Sequence, residues 1–375
     1  MTINSNSATI LIGGDCGPTH GPKDGYPIEG YTELVRPVLS AADMRFVNCM
    51  RTYSTRTVPS ALAPQVGQPV EMAQIYSDGR FDAVTMANNH SFDAGPEAML
   101  DTRELFASRG IQVTGAGRDL DQARQPAIVE RHGVKVGYLG YTSVATAGTD
   151  AGPGKPGVAS IRVKTCYETR GAHQPVRVRT EPDASDLARL LEDIRALRKQ
   201  VDVVVLAFHS GVIRLPRVIS DYQVAVAHAA IDAGADLIVG HAPHIPKAIE
   251  VYQGKTIFYS LGVFAMTKGF PAPSWSEPAW AHGSVRNHAD LDPQYPLMPY
   301  GKDCTLSLLA KAVVTRDGVA RAAFLPMSFD DRYRPQVLRN GDPKFAQILA
   351  YMEWVSEDMP HRFAVEGDEI VVTAA

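Results

Sequence analysis

Six short runs rich in apolar and β-branched residues recur along the chain: ATILIGG (8–14), RFVN (45–48), DAVTMA (82–87), VKVGYLGYT (134–142), VDVVVLAF (201–208) and DLIVG (236–240). Between several of them lie segments with apolar residues three and four apart, GYTELVRPVLSAAD, GPEAMLDTRELFASRG, SDLARLLEDIRALRKQ and VISDYQVAVAHAAIDAG, which predict helices. Glycine and proline punctuate the joins. This alternation constrains the chain to a layered α/β fold in which helices cover a sheet. At 45% hydrophobic and 21% charged residues, the 375-residue chain has enough apolar material for a sizeable core.

Later the period changes. KAIEVYQGKTIFYSLG and CTLSLLAKAVVTRDGVARAAFLPMSF predict β-hairpins, the second turning at Asp317-Gly318. Residues 265–302 keep no period and hold many prolines and two of the three tryptophans. They are expected to form a lid with Trp275, Trp280, His282 and His288 as candidate substrate contacts; the alternative is a surface loop packed by its own tryptophans. A second Gly/Pro-rich loop spans ATAGTDAGPGKPG (145–157). The tail offers one helix, PKFAQILAYMEWVSED, and a last strand, DEIVVTA. The expected organisation is one unit over 1–330, carrying the 265–302 insertion, with a helix–strand extension over 331–375 packed on it.

Charge and cysteines narrow the partners. A net charge of −4 with no Lys/Arg-rich block argues against nucleic acid. The start MTINSNSATILIGGD has no basic region, and no apolar run approaches the length of a span, so no membrane anchor is expected. Cysteines 16, 49, 166 and 304 form no CxxC pair, which points to a reduced, cytoplasmic chain. The expected partner is a small-molecule substrate, and association into a homo-oligomer stays open.

In open α/β sheets ligands collect beyond the carboxyl ends of the strands. Asp15 and Cys16 follow the first run; Asn48, Cys49 and Arg51 the second; Asn88, Asn89, His90 and Asp93 the third. His209 follows VVVLAF, and His241 and His244 follow DLIVG. Each has an ordinary structural reading: Asp15 a helix cap, Asn89-His90 a turn, His209 a core histidine, the cysteines small buried hydrophobes. Five strands delivering such groups to one edge together suggest a metal site, since imidazole is the commonest metal donor among side chains.

The segments GGD, ANNHSFDAG, AFHSG and AAIDAGADLIVGHAPHIPKAIEVYQGKTIFYSLGVF resemble the CapA family of poly-γ-glutamate capsule-synthesis proteins, over roughly residues 8–264. The resemblance implies a calcineurin-like metallophosphatase fold, an α/β/β/α sandwich. It places Asp15, Asn89, His209, His241 and His244 on metal-ligand positions, and His90 on that of an acid histidine beside the scissile group. Asp93 would then orient the His90 ring.

The chain also departs from the family pattern. NLE becomes Asn48-Cys49-Met50, HWGxE becomes HSGVI, GHHPH becomes GHAPH, SLGNF becomes SLGVF, and Gly17 stands where metallophosphatases commonly carry a histidine. With a carboxylate missing at Met50, one Mn, Fe, Co or Zn ion is expected rather than two, with Asn48 or the Cys49 thiolate as substitute ligands. Ser210, Asn88, Arg51 and Arg56 are candidate substrate contacts; the two arginines would hold an anionic group, or are solvated loop residues. Ile213 and Val263 make the pocket less acidic and more apolar. The favoured function is hydrolysis of a small amide, lactam or ester by metal-bound water, with His90 protonating the leaving group. A phosphoesterase and a non-catalytic binder of polyglutamate or another anionic polymer are the alternatives.

Overall fold

The computed structural model describes residues 7–18, 30–56, 67–266 and 302–375. The first apolar run forms the strand Ser7–Cys16, and its alternation fixes its place. Ala8, Ile10 and Ile12 face one hydrophobic cluster while Leu11 faces another, so the strand is buried on both sides. One edge pairs in parallel with Met44–Cys49, beyond which lie Ala83–Thr85 and Gln112–Thr114. The other edge pairs antiparallel with Ser307–Thr315, which turns back into Gly318–Phe329. Val263–Ala265 adds a parallel pairing at the end of the first strand. Pro335–Val337 and the C-terminal strands Arg362–Glu366 and Glu369–Thr373 complete a ten-stranded sheet.

A second sheet has the spatial order Ala127–Arg131, Val134–Thr142, Val203–His209, Leu237–His241, Lys255–Phe258, Ile249–Tyr252, its middle four strands parallel. The two sheets face each other across a shared core: Ile10, Ile12, Met44 and Phe46 from the first meet Val136, Tyr138, Val205 and Val239 from the second. Phe46 and Tyr138 stack with ring centroids 4.5 Å apart, a contact that contributes about 1 kcal/mol beyond area burial. Opposite-facing residues of the same strands bind the helices. Leu11, Val47 and Val84 pack with Leu39, Tyr76 and Phe106; Val204, Leu206 and Ile238 pack with Leu190, Ile194 and Val226. The result is the α/β/β/α sandwich.

Local chemistry sets the helix ends. Asp183 accepts from the Ser185 and Asp186 amides and starts Ala184–Arg198, and Ser220 with Gln223 forms a capping box at the start of Asp221–Asp232. The helix expected over GYTELVRPVLSAAD is only Arg36–Ala41, because Pro37 lacks an N–H and fits just the first turn. The predicted turn shifts by one residue: Thr315 pairs with Gly318, so Arg316 and Asp317 form the loop. Gly318, at φ +119°, occupies backbone space that a side chain would strain. A hairpin unanticipated from sequence, Val163–Glu168 with Arg177–Pro182, projects from the second sheet's helical side.

Candidate metal centre

Parallel strands of both sheets stop at one edge, and the polar residues that follow them converge there. In register, Asp15 lies beside Asn48 and Val263 on the first sheet, and His209 beside His241 on the second. Asp15, Asn48, His209, His241 and His244 are each at most 4% exposed. Burial alone would raise the Asp15 carboxyl. The His244 ring, whose Nδ1 lies 2.8 Å from Asp15 Oδ2, together with the neighbouring imidazoles, outweighs this and holds it well below the usual carboxylate range. Burial drives His209 the other way, down to about 3, and lowers His241 too, so both rings are neutral at physiological pH.

Hydrogen bonding then fixes which nitrogen carries each lone pair. His209 Nε2 donates to Asn89 Oδ1 at 3.0 Å, which leaves Nδ1 as acceptor, 3.2 Å from the Asn48 amide nitrogen. His241 Nε2 donates to the Gly13 carbonyl at 3.3 Å, which turns the Nδ1 lone pair into the site. That Nδ1 is buried and has no hydrogen-bond partner among the described residues. An imidazole held neutral, oriented by a backbone carbonyl and left with a buried unsatisfied lone pair has the chemistry of a metal donor. The surrounding carboxylate, imidazoles and amide oxygen have the donor chemistry of a borderline divalent ion. On that ground the residues fit one.

The donors are also tied to each other. Asn48 Nδ2 lies 2.8 Å from Asp15 Oδ1 and 3.0 Å from Met50 Sδ, and Asn48 Oδ1 accepts from Asn88. Asn48 thus offers its N–H groups to the centre, and its amide fills the space between Asp15 and His209. Among the described residues, no three His, Cys, Asp or Glu side chains are placed so that they could hold a metal ion, so the fit rests on donor chemistry alone. Strain marks the same spot: Ala242 and His244 have φ of +98° and +59°, in the left-handed region that disfavours side chains.

Beside this cluster His90 Nδ1 sits 2.7 Å from Asp93 Oδ2, the relation expected of an orienting carboxylate. Arg51 Nη1 lies 3.5 Å from each of them, and its Nε is buried without an acceptor among the described residues. The Arg51 stem crosses Gly17, where an added Cβ would come within 2.9 Å of Arg51 Cγ. Glycine at 17 is thus what lets the arginine lie there.

Other candidate residues are drawn elsewhere. Strand alternation turns Cys49 away from Asn48 and into the helix-side core, where burial pushes its thiol up to about 11; it is not a thiolate. The Arg56 guanidinium is paired with Asp101 at the surface, Nε to Oδ2 2.8 Å. The Ser210 hydroxyl accepts from Gln223 on the helix side. Asn88 spends its side chain on Asn48, the Cys49 carbonyl and the His90 amide, which shapes the turn that presents His90. Trp275, Trp280 and His282, and with them nearly all of the 265–302 lid, lie outside the described residues.

Two features escaped the sequence reading. Met266, Phe329 and Tyr333 join Met50 and Val263 in a separate apolar cluster against the centre; Phe329 ends an ordinary hairpin strand and Tyr333 follows it, with no local signal. Lys247, three residues past His244, is fully buried and donates to the Val212 and Val218 carbonyls at 2.8 and 2.7 Å. An amphipathic side chain in an apolar run gives no sign of such burial.

Two facing sheets flanked by helices, with a histidine-rich centre at their common strand ends, define an α/β/β/α sandwich protein. The chain belongs to the bacterial capsule synthesis protein PGA_cap family, whose model matches residues 9–268. It is 33% identical over 201 residues to the PGA biosynthesis protein CapA of Bacillus subtilis, covering 53% of this chain and 46% of that one. It is 30% identical over 201 residues to the capsule biosynthesis protein CapA of Bacillus anthracis, covering 53% and 44%. A probable polyglutamine synthesis accessory protein of Mycobacterium tuberculosis is 32% identical over 182 residues, 47% of this chain and 43% of that one. The chain thus spans about half the length of these relatives. Among solved structures, a hypothetical protein from Thermus thermophilus superimposes with TM-score 0.40 at 13% identity, covering 88% of this chain and 98% of that one. The calcineurin-like phosphoesterase YfkN from Bacillus subtilis gives 0.37 at 12%, covering 93% and 99%.

Proposed function

We propose that the protein is a metal-dependent hydrolase of a small amide, lactam or ester. The observation that carries this reading is the oriented His90–Asp93 pair beside a buried cluster of neutral imidazoles and one ionised carboxylate. Asp15, Asn89, His209, His241 and His244 would hold a divalent ion. When bound, such an ion polarises a carbonyl oxygen and activates water.

The chain's own residues do the rest. Asp93 accepts from His90 Nδ1 and orients the ring, and His90 would give a proton to a departing nitrogen or oxygen. Asn88 holds the turn that aims it. The apolar cluster of Met50, Val263, Met266, Phe329 and Tyr333 favours a neutral carbonyl compound, because desolvating a polyanion against it would be costly. Gly13 keeps His241 in the tautomer that faces the centre.

A phosphoesterase is the second reading, and Arg51 favours it: a guanidinium beside His90 with a buried N–H lacking an acceptor suits an anionic group. The names of the relatives suggest a place in capsule polymer synthesis, which either activity would serve. The test is protein loaded with Mn, Fe, Co or Zn, assayed side by side on aryl phosphomono- and diesters and on a panel of lactams, amides and esters. Turnover of carbonyl substrates that disappears on chelation and in His90→Asn supports the proposal. Turnover confined to the phosphoesters moves the assignment to phosphoesterase, and none at all leaves a binding role.

A further inference from the structure

The Val163–Pro182 hairpin has features that the proposed reaction does not use. Tyr167 lies directly opposite Val178, Thr165 opposite Thr180, and Val176 shares their side, so one face is apolar. The other face carries Lys164, Cys166 and Glu168 against Glu181, Arg179 and Arg177. Nothing among the described residues covers the apolar face near its tip: Tyr167 is 75% exposed, Val178 52% and Val176 48%. Its inner strand is tied to the neighbouring helix by Thr180 to Asp221 and Tyr222 at 3.2 Å each, and by Arg177 and Arg179 to Asp221 at 3.6 Å each. The sheet has just two strands, and the outer edge of Val163–Glu168 pairs with no described strand. Two strands alone are marginally stable in water, and an open edge with an apolar face invites another strand.

The sequence of that edge is complementary to itself. Antiparallel pairing of Val163–Glu168 with its own copy, about a two-fold axis through Cys166, sets Lys164 opposite Glu168 of the second copy, and the symmetry repeats the pair. Thr165 then meets Tyr167 of the second copy, and all apolar side chains stay on one side. We propose that this hairpin is a self-association surface, with two copies of the chain joining edge to edge into a four-stranded antiparallel sheet. The charged pairs set the register, and backbone hydrogen bonds between the two open edges join the copies.

Sedimentation velocity over a concentration series should show a monomer–dimer equilibrium. Lys164→Glu and Glu168→Lys, each alone, put like charges opposite one another twice and should weaken the dimer by at least about tenfold. Mixing these two variants restores opposite charges at both sites, so the mixture should dimerise again. Cys166 is exposed while Cys16, Cys49 and Cys304 are buried, so a short bis-maleimide should link the two copies through Cys166 and fail to do so in Cys166→Ser. A chain that stays monomeric throughout the series, a dimer indifferent to both charge variants, or a mixture that remains monomeric would overturn the proposal.

Discussion

At the scale of single residues, the proposed function gives His241 and His90 opposite tasks although both are histidines beside the same centre. His241 is buried, neutral and aimed by the Gly13 carbonyl, so His241→Ala should remove the metal while leaving far-UV circular dichroism and cooperative unfolding intact. Full metal content in that variant would defeat the ligand assignment. His90 is partly exposed and bonded to Asp93, so His90→Asn should keep the metal and lower turnover by about 10²–10⁴-fold. Metal lost together with activity would make it a ligand instead. Strand ends pointed to both residues, because a polar residue just past a buried run is conspicuous. Their tautomers were illegible, since they depend on Gly13, Asn89 and Asp93 reached across the fold. The candidate status of Cys49 and Ser210 came from proximity in sequence alone, and strand alternation and the capping contacts send both side chains to the helix side.

Elements were legible where their period was strong. The run VKVGYLGYT became a strand over 134–142, and the helix expected over GPEAMLDTRELFASRG became Pro96–Ser108. The 163–182 hairpin was not, because its alternation is spread over threonines and charges that do not read as a buried strand. The segment after His209 has no regular structure across 211–220 and is held by Lys247 through two of its carbonyls. A neutral amine has two N–H groups for those two acceptors, and burial lowers this lysine from 10.5 to about 7. Below that value both folded and unfolded chains carry the proton, and the cost of burying the charge is present in full. Between about pH 7 and 10.5 the folded chain has shed a proton that the unfolded chain keeps, so stability rises with pH. Relative to Lys247→Met, wild type should therefore gain on the order of 5 kcal/mol across that window in denaturant unfolding. A gap independent of pH would show that the lysine does not titrate there.

For the whole molecule, alternation of strands and helices indicated a layered α/β fold and the family resemblance implied its sandwich form, but not which strands pair, because pairing joins residues distant in sequence. The missing carboxylate at Met50 bears on the centre as a unit: Asn48 brings an amide N–H where a bridging anion would offset the repulsion of two cations. One tightly held ion per chain is the expected result of elemental analysis, unchanged in Cys49→Ser; two would contradict it.

The first strand sits inside its sheet, with Met44–Cys49 on one side and Ser307–Thr315 on the other, Ser7 meeting Thr315. The strand thus waits for a partner about 300 residues further along the chain, and closing so long a loop slows folding. Until then one edge of this buried strand is bare, which is when the chain is open to aggregation and to capture by a chaperone. Asp15 and His244 meet only once that order is established. In refolding followed by intrinsic fluorescence and by a metal-sensitive dye, uptake of the ion should therefore coincide with the slowest phase; uptake in an earlier phase would mean that the centre assembles before the sheet closes.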